Sequence, residues 1–454
     1  MKKRLAVVVP MYNVDLFLED ALDTLLVQNL TPQELQVILI DDGSTDKTAE
    51  ISKQYVKKYP KTFEYHLFEN GGLGASRNRG TKLADSEYIT YFDPDDKIVH
   101  GSYRKALDIL QDTNSDILIG GTRRFNSKRT WNSWIHSKAE IKDLRGVSFS
   151  SHPELVWDST AWNKIYRLEF IRKNKLFTPE GILYEDMPMV VPALTLAKAI
   201  DVMTDTMYMW RSRDFGAPSI TQMASNETKP LIDRLFAMTS IINDLKKYHA
   251  AETIIDAQFD KFLNFDIMVM YAKDKFDLFT IEQKSEIFHA LREFLKLFNE
   301  EQLNRANFHD LVYFREVLRI NSVDEFSRLT LAFLQNNTIY NGYWENGVYK
   351  LTSNISPFSR EIMINDMKLF PKVEKVIFSA NQLIVNGFFY AEFSDMSRQE
   401  FIKDAKVSLL DRSHNVLQDK VGSIEFKYDH RITATYGYNK SHFNKNGADF
   451  NYDF

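Results

Sequence analysis

Three carboxylates within four residues, Asp93-Pro94-Asp95-Asp96, form the strongest chemical signal in this sequence. Packed so closely, they repel one another unless a cation neutralises them. Hard divalent ions such as Mg²⁺ or Mn²⁺ take oxygen ligands and keep places for phosphate oxygens. At such a site the ion grips a diphosphate and stabilises it as a leaving group. An acidic turn that caps a helix is the plain alternative.

Weaker signals surround this one. In Asp41-Asp42-Gly43-Ser44-Thr45-Asp46 a carboxylate can accept hydrogen bonds from a base or a ribose, although the same residues are ideal turn chemistry. Asn70 to Gly80 is rich in glycine and carries Arg77 and Arg79. Glycine lets backbone approach a ligand closely, and arginine reaches phosphate or base edges with two parallel donors. The segment lacks the Gly-Lys-Ser/Thr ending of a phosphate-binding P-loop, and a flexible loop entering a helix is the other reading. Glu185-Asp186 offers a carboxylate that could take a proton from an incoming hydroxyl, or simply a solvated helix start. Arg211, Arg213, Ser219 and Thr221 fall in a polar loop able to fold over phosphates. Trp162-Asn163-Lys164-Ile165-Tyr166-Arg167 mixes aromatic and basic groups, as packing or as an acceptor wall.

The elements that must carry these groups alternate between strand and helix. Leu5 to Val9 is a continuous apolar run bounded by Pro10, as in a strand buried on both faces. Leu16, Leu18, Ala21, Leu22, Leu25 and Leu26 recur at helical spacing. Gln36 to Ile40, Phe63 to Leu67 and Tyr88 to Phe92 read as three more strands. The order predicts an α/β fold with a mainly parallel, Rossmann-like sheet covered on both faces. In such sheets ligands sit at the carboxyl ends of the strands, where the clusters after strands one, two and four fall. From Pro230 to Gly342 neither Gly nor Pro intervenes, and Leu235, Met238, Ile241, Ile242 and Leu245 recur at helical spacing, which predicts a helical bundle. Beyond Gly342, short β-prone runs separated by turn residues predict a β-sandwich of immunoglobulin-like size.

At 454 residues the chain needs more than one core. Its 44% hydrophobic and 26% charged residues are those of a globular protein. A net charge of −5 provides no general basic field for nucleic acid. The absence of cysteine excludes disulfides, thiolate metal sites and cysteine nucleophiles, and suits a reducing cytoplasm. The apolar run after Met1-Lys2-Lys3-Arg4 is too short for a signal peptide, and no run approaches the ~20 apolar residues that cross a bilayer. The β-rich pattern stops unfinished at Phe454, as in a fragment of a longer protein.

Taken in order, these segments resemble the family 2 glycosyltransferases of the GT-A fold over about residues 1–225. Val8-Val9-Pro10-Met11-Tyr12-Asn13, Asp41 to Asp46, Asp93 to Asp96, Trp162 to Arg167 and Tyr184-Glu185-Asp186 carry the resemblance. A narrower likeness is to the wall teichoic acid glycosyltransferases of Gram-positive bacteria. The resemblance implies a metal-dependent, inverting UDP-sugar glycosyltransferase of the hexosyltransferase type. It implies that Pro10, Tyr12 and Asp41 hold the uridine with Asn70 and Arg77 nearby, and that Asp93 contacts the ribose or sugar. Asp95 would bind Mn²⁺ or Mg²⁺, Asp186 would be the catalytic base, and Arg211 and Ser219 would hold the diphosphate. The expected domains are a transferase domain over 1–225, a helical domain over 226–340 and a β-sandwich over 341–454. The expected partners are a UDP-sugar donor and a polyol-phosphate polymer or other glycan acceptor, with no nucleic acid. Self-association through the C-terminal region is also expected, as is peripheral attachment at the inner face of the cell membrane. The competing reading is a glycan-polymer binding or assembly protein whose transferase domain is inactive.

Overall fold

The computed structural model describes residues 2–139, 142–216, 227–267 and 276–334, and the backbone of nine strands between 340 and 453. The chain divides into two compact units, Met1–Leu311 and Val312–Phe454.

The first unit opens with β1 (Lys3–Met11), α1 (Asp15–Leu26), β2 (Leu35–Asp41), α2 (Thr48–Lys58), β3 (Phe63–Leu67), α3 (Gly72–Leu83) and β4 (Ser86–Tyr91). There follow β5 (Lys97–Ile98), α4 (Ser102–Thr113), β6 (Ile117–Phe125), β7 (Thr130–Asn132), β8 (Leu144–Val147), β9 (Lys164–Arg167), α5 (Leu168–Lys173), α6 (Met187–Leu196) and β10 (Ile200–Arg211). Ten strands form one sheet in the order β3-β2-β1-β4-β9-β6-β10-β5, with β7 on β6 and β8 on β10. The six long strands point the same way, and only β9 and the short strands run against them. Polar segments that follow the long strands therefore gather on one rim.

Alternation along β1 assigns its two faces. Leu5, Val7, Val9 and Met11 enter the core with Leu18, Leu22 and Leu25 of α1 and Tyr103, Leu107 and Leu110 of α4. Val8 faces α3, where Gly80 lies so close that a Cβ there would overlap the valine methyls. The sheet is thus covered on both sides, as its doubly apolar strands require.

One expected boundary moves. Pro10 does not end β1; the strand runs on to Met11, paired with Asp41 of β2. The ladder to β4 stops at Val8 opposite Tyr91, with the Phe92 amide donating to the Val8 carbonyl. Two residues on, Pro10 faces that same vacated side, so its missing N–H costs no ladder bond.

At the other end of the sheet, β10 bulges against β6 between Met203 and Tyr208. Gly120 and Gly121 lie under the bulge, where a Cβ would overlap Met207 and the Thr204 carbonyl. The bulge re-aims the end of β10, placing Tyr208 and Arg211 beside the residues that follow β4.

After β10 the chain is helical. Helices Lys229–Lys247 and Glu252–Lys261 are followed by a π-turn over Phe262–Asp266 and by helices Ile281–Leu295, Glu300–Leu303, Phe308–Arg319 and Val323–Leu334. Among the described residues no helix is long and apolar enough to cross a membrane. In the second unit, strands Tyr340–Glu345, Val348–Ser353 and Ser359–Ile362 form an antiparallel meander. Leu369–Ser379, Gln382–Ala391, Gly447–Asp453 and Ile424–Asp429 make a four-stranded antiparallel sheet in that spatial order, and Ser408–Leu410 pairs with Val416–Asp419.

Candidate active site

The rim beyond β4 carries the acidic cluster. Asp96 is buried, and burial first, then Asp95 and Asp93, raises its carboxyl well above the ordinary range. Its Oδ2 accepts the Tyr208 hydroxyl at 2.7 Å and its Oδ1 the Arg211 amide at 2.6 Å. Asp96 thus fastens β10 to β4. Asp95 lies nearer solvent, and its Oδ2 accepts Arg213 Nε at 2.7 Å. Arg211 bonds the Asp95 carbonyl through Nε and Asp20 Oδ2 of α1 at 3.0 Å through Nη2.

Asp93 points to a different partner. Its Oδ1 accepts Arg77 Nη2 at 3.0 Å. Burial pushes its carboxyl up to about 6; Arg77 opposes the rise, while Asp186 and Asp95 add to it. Arg77 also donates through Nη1 to Glu185 Oε1 at 2.6 Å and to Asp186 Oδ1. One guanidinium, 1% exposed, therefore serves three carboxylates from two distant parts of the chain. The Glu185 carboxyl is pushed up to about 8 by burial, with Arg77 opposing and Asp186 reinforcing. Asp186 Oδ2 accepts the Ala161 amide at 2.9 Å, so each of its oxygens has a fixed donor.

The backbone reaches this cluster under constraint. Tyr184 adopts φ 62°, a region that a bulky residue rarely enters. Arg234 stacks over its ring at 4.7 Å, and the Leu183 amide is held by Asp233 Oδ2 at 2.8 Å. Gly74 of α3 lies under the same segment, where a Cβ would overlap the Pro179 carbonyl oxygen. The glycines at 74 and 80 thus admit other parts of the chain, where sequence reasoning had them admit a ligand.

The other expected site residues lie along the same rim. Pro10 lies within β1 past the end of its ladder to β4, and Tyr12 just beyond the strand is 52% exposed. Asp41 is buried; its Oδ1 accepts the Ser44 amide at 2.8 Å and its Oδ2 the Tyr65 hydroxyl at 2.7 Å. Asn70 Nδ2 donates to the Asp42 carbonyl at 3.0 Å. Asp42 takes the amides of Gly71 and Gly72 at the start of α3, and Arg79. Ser219 lies outside the described residues. Trp162 to Tyr166 is buried, four of the residues fully so, and packs as β9 and the turn before it. Sequence reasoning missed Asp20, Tyr208 and the Ala161 amide; nothing local marks a strand tyrosine or an alanine N–H as part of a site.

Among the described residues no group of three or more histidine or acidic side chains is arranged to enclose a metal ion. A phosphate-bound Mg²⁺ or Mn²⁺ needs only one or two carboxylates from protein, since phosphate oxygens and water complete its shell. Asp95 suits that role, and its like-charge pressure on Asp93 is what a cation there would relieve.

Residues 6–176 match the family described as Glycosyl transferase family 2. The minor teichoic acid biosynthesis protein GgaB of Bacillus subtilis is 26% identical over 374 residues, 75% of this chain and 41% of that protein. The poly(ribitol-phosphate) beta-glucosyltransferase of Bacillus spizizenii is 25% identical over 305 residues, 66% of this chain and 46% of that protein. The chain thus spans less than half the length of these two relatives. In fold it resembles residues 1–349 of S. aureus TarS, solved in complex with UDP-GlcNAc. The TM-score is 0.64 at 22% identity, over 79% of this chain and 99% of that one. Through residues 6–176 the chain matches the family 2 glycosyltransferases, and it resembles the teichoic acid glycosyltransferases of Gram-positive bacteria.

Proposed function

We propose that the chain moves a sugar from a UDP-sugar to a hydroxyl of a teichoic acid or related cell-wall polymer, with inversion at the anomeric carbon. The observation that carries this reading is the Arg77 cluster: one buried guanidinium holds Asp93, on the donor rim, and Asp186, the candidate base, in a single arrangement. The reading draws further support from the UDP-GlcNAc named for the similar structure and the ribitol-phosphate polymer named for a relative.

Asp186 takes the proton of the acceptor hydroxyl. Arg77 and the Ala161 amide engage one lone pair on each carboxylate oxygen, leaving the others for that proton. The acceptor oxygen bonds to the anomeric carbon as the bond to the UDP oxygen breaks, and UDP leaves with the electron pair. The transition state is oxocarbenium-like. Asp95 would hold Mn²⁺ or Mg²⁺, which would supply positive charge to the departing diphosphate, and Asp93 would contact the ribose or sugar. Arg211 and Ser219 would complete the diphosphate site, and Pro10, Tyr12, Asp41 and Asn70 the uridine site. Residues 1–225, 226–340 and 341–454 are taken as transferase, helical and β-sandwich domains. The last is assigned to self-association, and the protein to the cytoplasmic face of the membrane.

The deciding experiment incubates the chain with UDP-glucose, UDP-N-acetylglucosamine or UDP-galactose and a polyol-phosphate polymer, with and without Mn²⁺. Polymer-dependent UDP release is expected with one of the three. Binding of polymer without UDP release from any donor supports instead an assembly protein with an inactive transferase domain.

A further inference from the structure

Beneath the Asp186 carboxylate lies a buried ionic network that the transfer chemistry does not touch. Lys164 at the start of β9 and Asp158 are both fully buried. Lys164 Nζ donates to Asp158 Oδ1 at 2.6 Å, to the Thr160 carbonyl at 2.7 Å and to Asn163 Oδ1 at 2.9 Å. Asp158 Oδ1 also accepts the Thr160 hydroxyl at 2.8 Å, and its Oδ2 accepts Asn163 Nδ2 at 2.6 Å. Burial works against the Asp158 charge, yet Lys164 and His136 beside it hold its carboxyl down at about 2. Lys261, from the helix Glu252–Lys261, ties Ser159 from the other side through its hydroxyl at 3.0 Å.

A buried ion pair is weak evidence for stability, because an apolar pair of similar volume is often as stable. What the pair does hold is one particular peptide. The Thr160 carbonyl that Lys164 grips and the Ala161 N–H that Asp186 accepts belong to the same peptide unit. That unit is planar and trans, so its carbonyl and N–H point opposite ways, and fixing one fixes the other. Trp162, next in the chain, packs on Tyr208 at 4.2 Å between ring centroids, and Tyr208 holds Asp96. The same turn therefore abuts both the base and the acidic rim.

We propose that Lys164 and Asp158 are positioning residues that orient the 160–161 peptide so that its N–H fixes Asp186 for proton transfer. This rests on the transferase reading above. It gives the Trp162–Arg167 segment a role as a support for the base, not as a wall for the acceptor.

The test uses the full chain and the charge-neutral double variant Asp158→Asn/Lys164→Met. It measures the UDP dissociation constant by calorimetry, the transfer rate constant, and exchange of the Ala161 amide by hydrogen-exchange mass spectrometry with residue resolution. The expected result is an unchanged UDP constant, kcat lower by about ten- to hundred-fold, and faster Ala161 exchange. A folded double variant with wild-type kcat and a protected Ala161 overturns the proposal. Should that variant not fold, Thr160→Val decides, since it keeps the ion pair but removes the hydroxyl tying Thr160 to Asp158 and Asn163. Faster Ala161 exchange with lower kcat then supports the proposal, and unchanged exchange overturns it. If the wild type releases UDP from no donor, the transferase reading fails separately. Ala161 exchange alone then decides whether Lys164 holds the peptide.

Discussion

Replacing Arg77 by methionine is the most informative single perturbation, because it deprives three carboxylates of one cation at once. Breaking a buried pair by removing one partner costs about 3–5 kcal/mol. At about 2 °C per kcal/mol, suited to a unit of this size, the melting temperature should fall by about 6–10 °C near neutral pH. The loss should depend on pH. In the wild type, the Asp93 carboxyl sits at about 6 and Glu185 at about 8, against unfolded values of 3.8 and 4.5. The native state therefore holds extra protons between those limits. That contribution to stability is complete below the unfolded values and is lost as pH rises through 6 and then through 8. Without Arg77 the buried Asp93 and Glu185 lose the charge that opposes their rise, so the fall with pH should be steeper. Calorimetric melting of both proteins at about pH 5.5 and about pH 8 measures the difference, and the deficit at the lower pH should be no more than about half that at the higher. An equal deficit at both values, or one under about 2 °C throughout, would refute the view that Arg77 neutralises this cluster.

Three further outcomes are expected. Asp186→Asn should lower kcat by at least about 100-fold with UDP affinity intact, since it removes a proton acceptor and little volume; near-normal turnover would reassign the base. Asp95→Ala should abolish the dependence of UDP affinity on Mn²⁺, as titration calorimetry with and without the ion would show. Gly74→Ala should destabilise the fold by about 1–3 kcal/mol, because its methyl would overlap the Pro179 carbonyl; it should also slow transfer by displacing the segment that leads to Asp186, which melting and turnover measure together.

Much of the architecture could be read from neighbours along the chain. The apolar runs at Leu5–Val9, Gln36–Ile40 and Tyr88–Phe92 became strands buried on both faces. The acidic segments that follow the second and fourth strands fell on the strand-end rim. Among the described residues, the stretch without glycine or proline after Pro230 is mainly helical as far as Leu334. These features depend on which side chains alternate within a few residues, and that is written locally.

The partners of those segments were not local. Arg77 meets Asp93 sixteen positions away, but Glu185 and Asp186 lie 108 and 109 positions away. The same arginine could equally have met a base or a phosphate, and nothing in its neighbours distinguishes these. Gly74 and Gly80 were legible as places of close approach, yet only packing settles that Pro179 and Val8 are what approaches. Pro10 read as a strand end until the early departure of β4 left its missing N–H without a ladder bond to break. Short-range order follows from residue type and spacing. Which distant charge neutralises which emerges only when the sheet brings its strand ends together, because a buried ion pair has no signature along the chain.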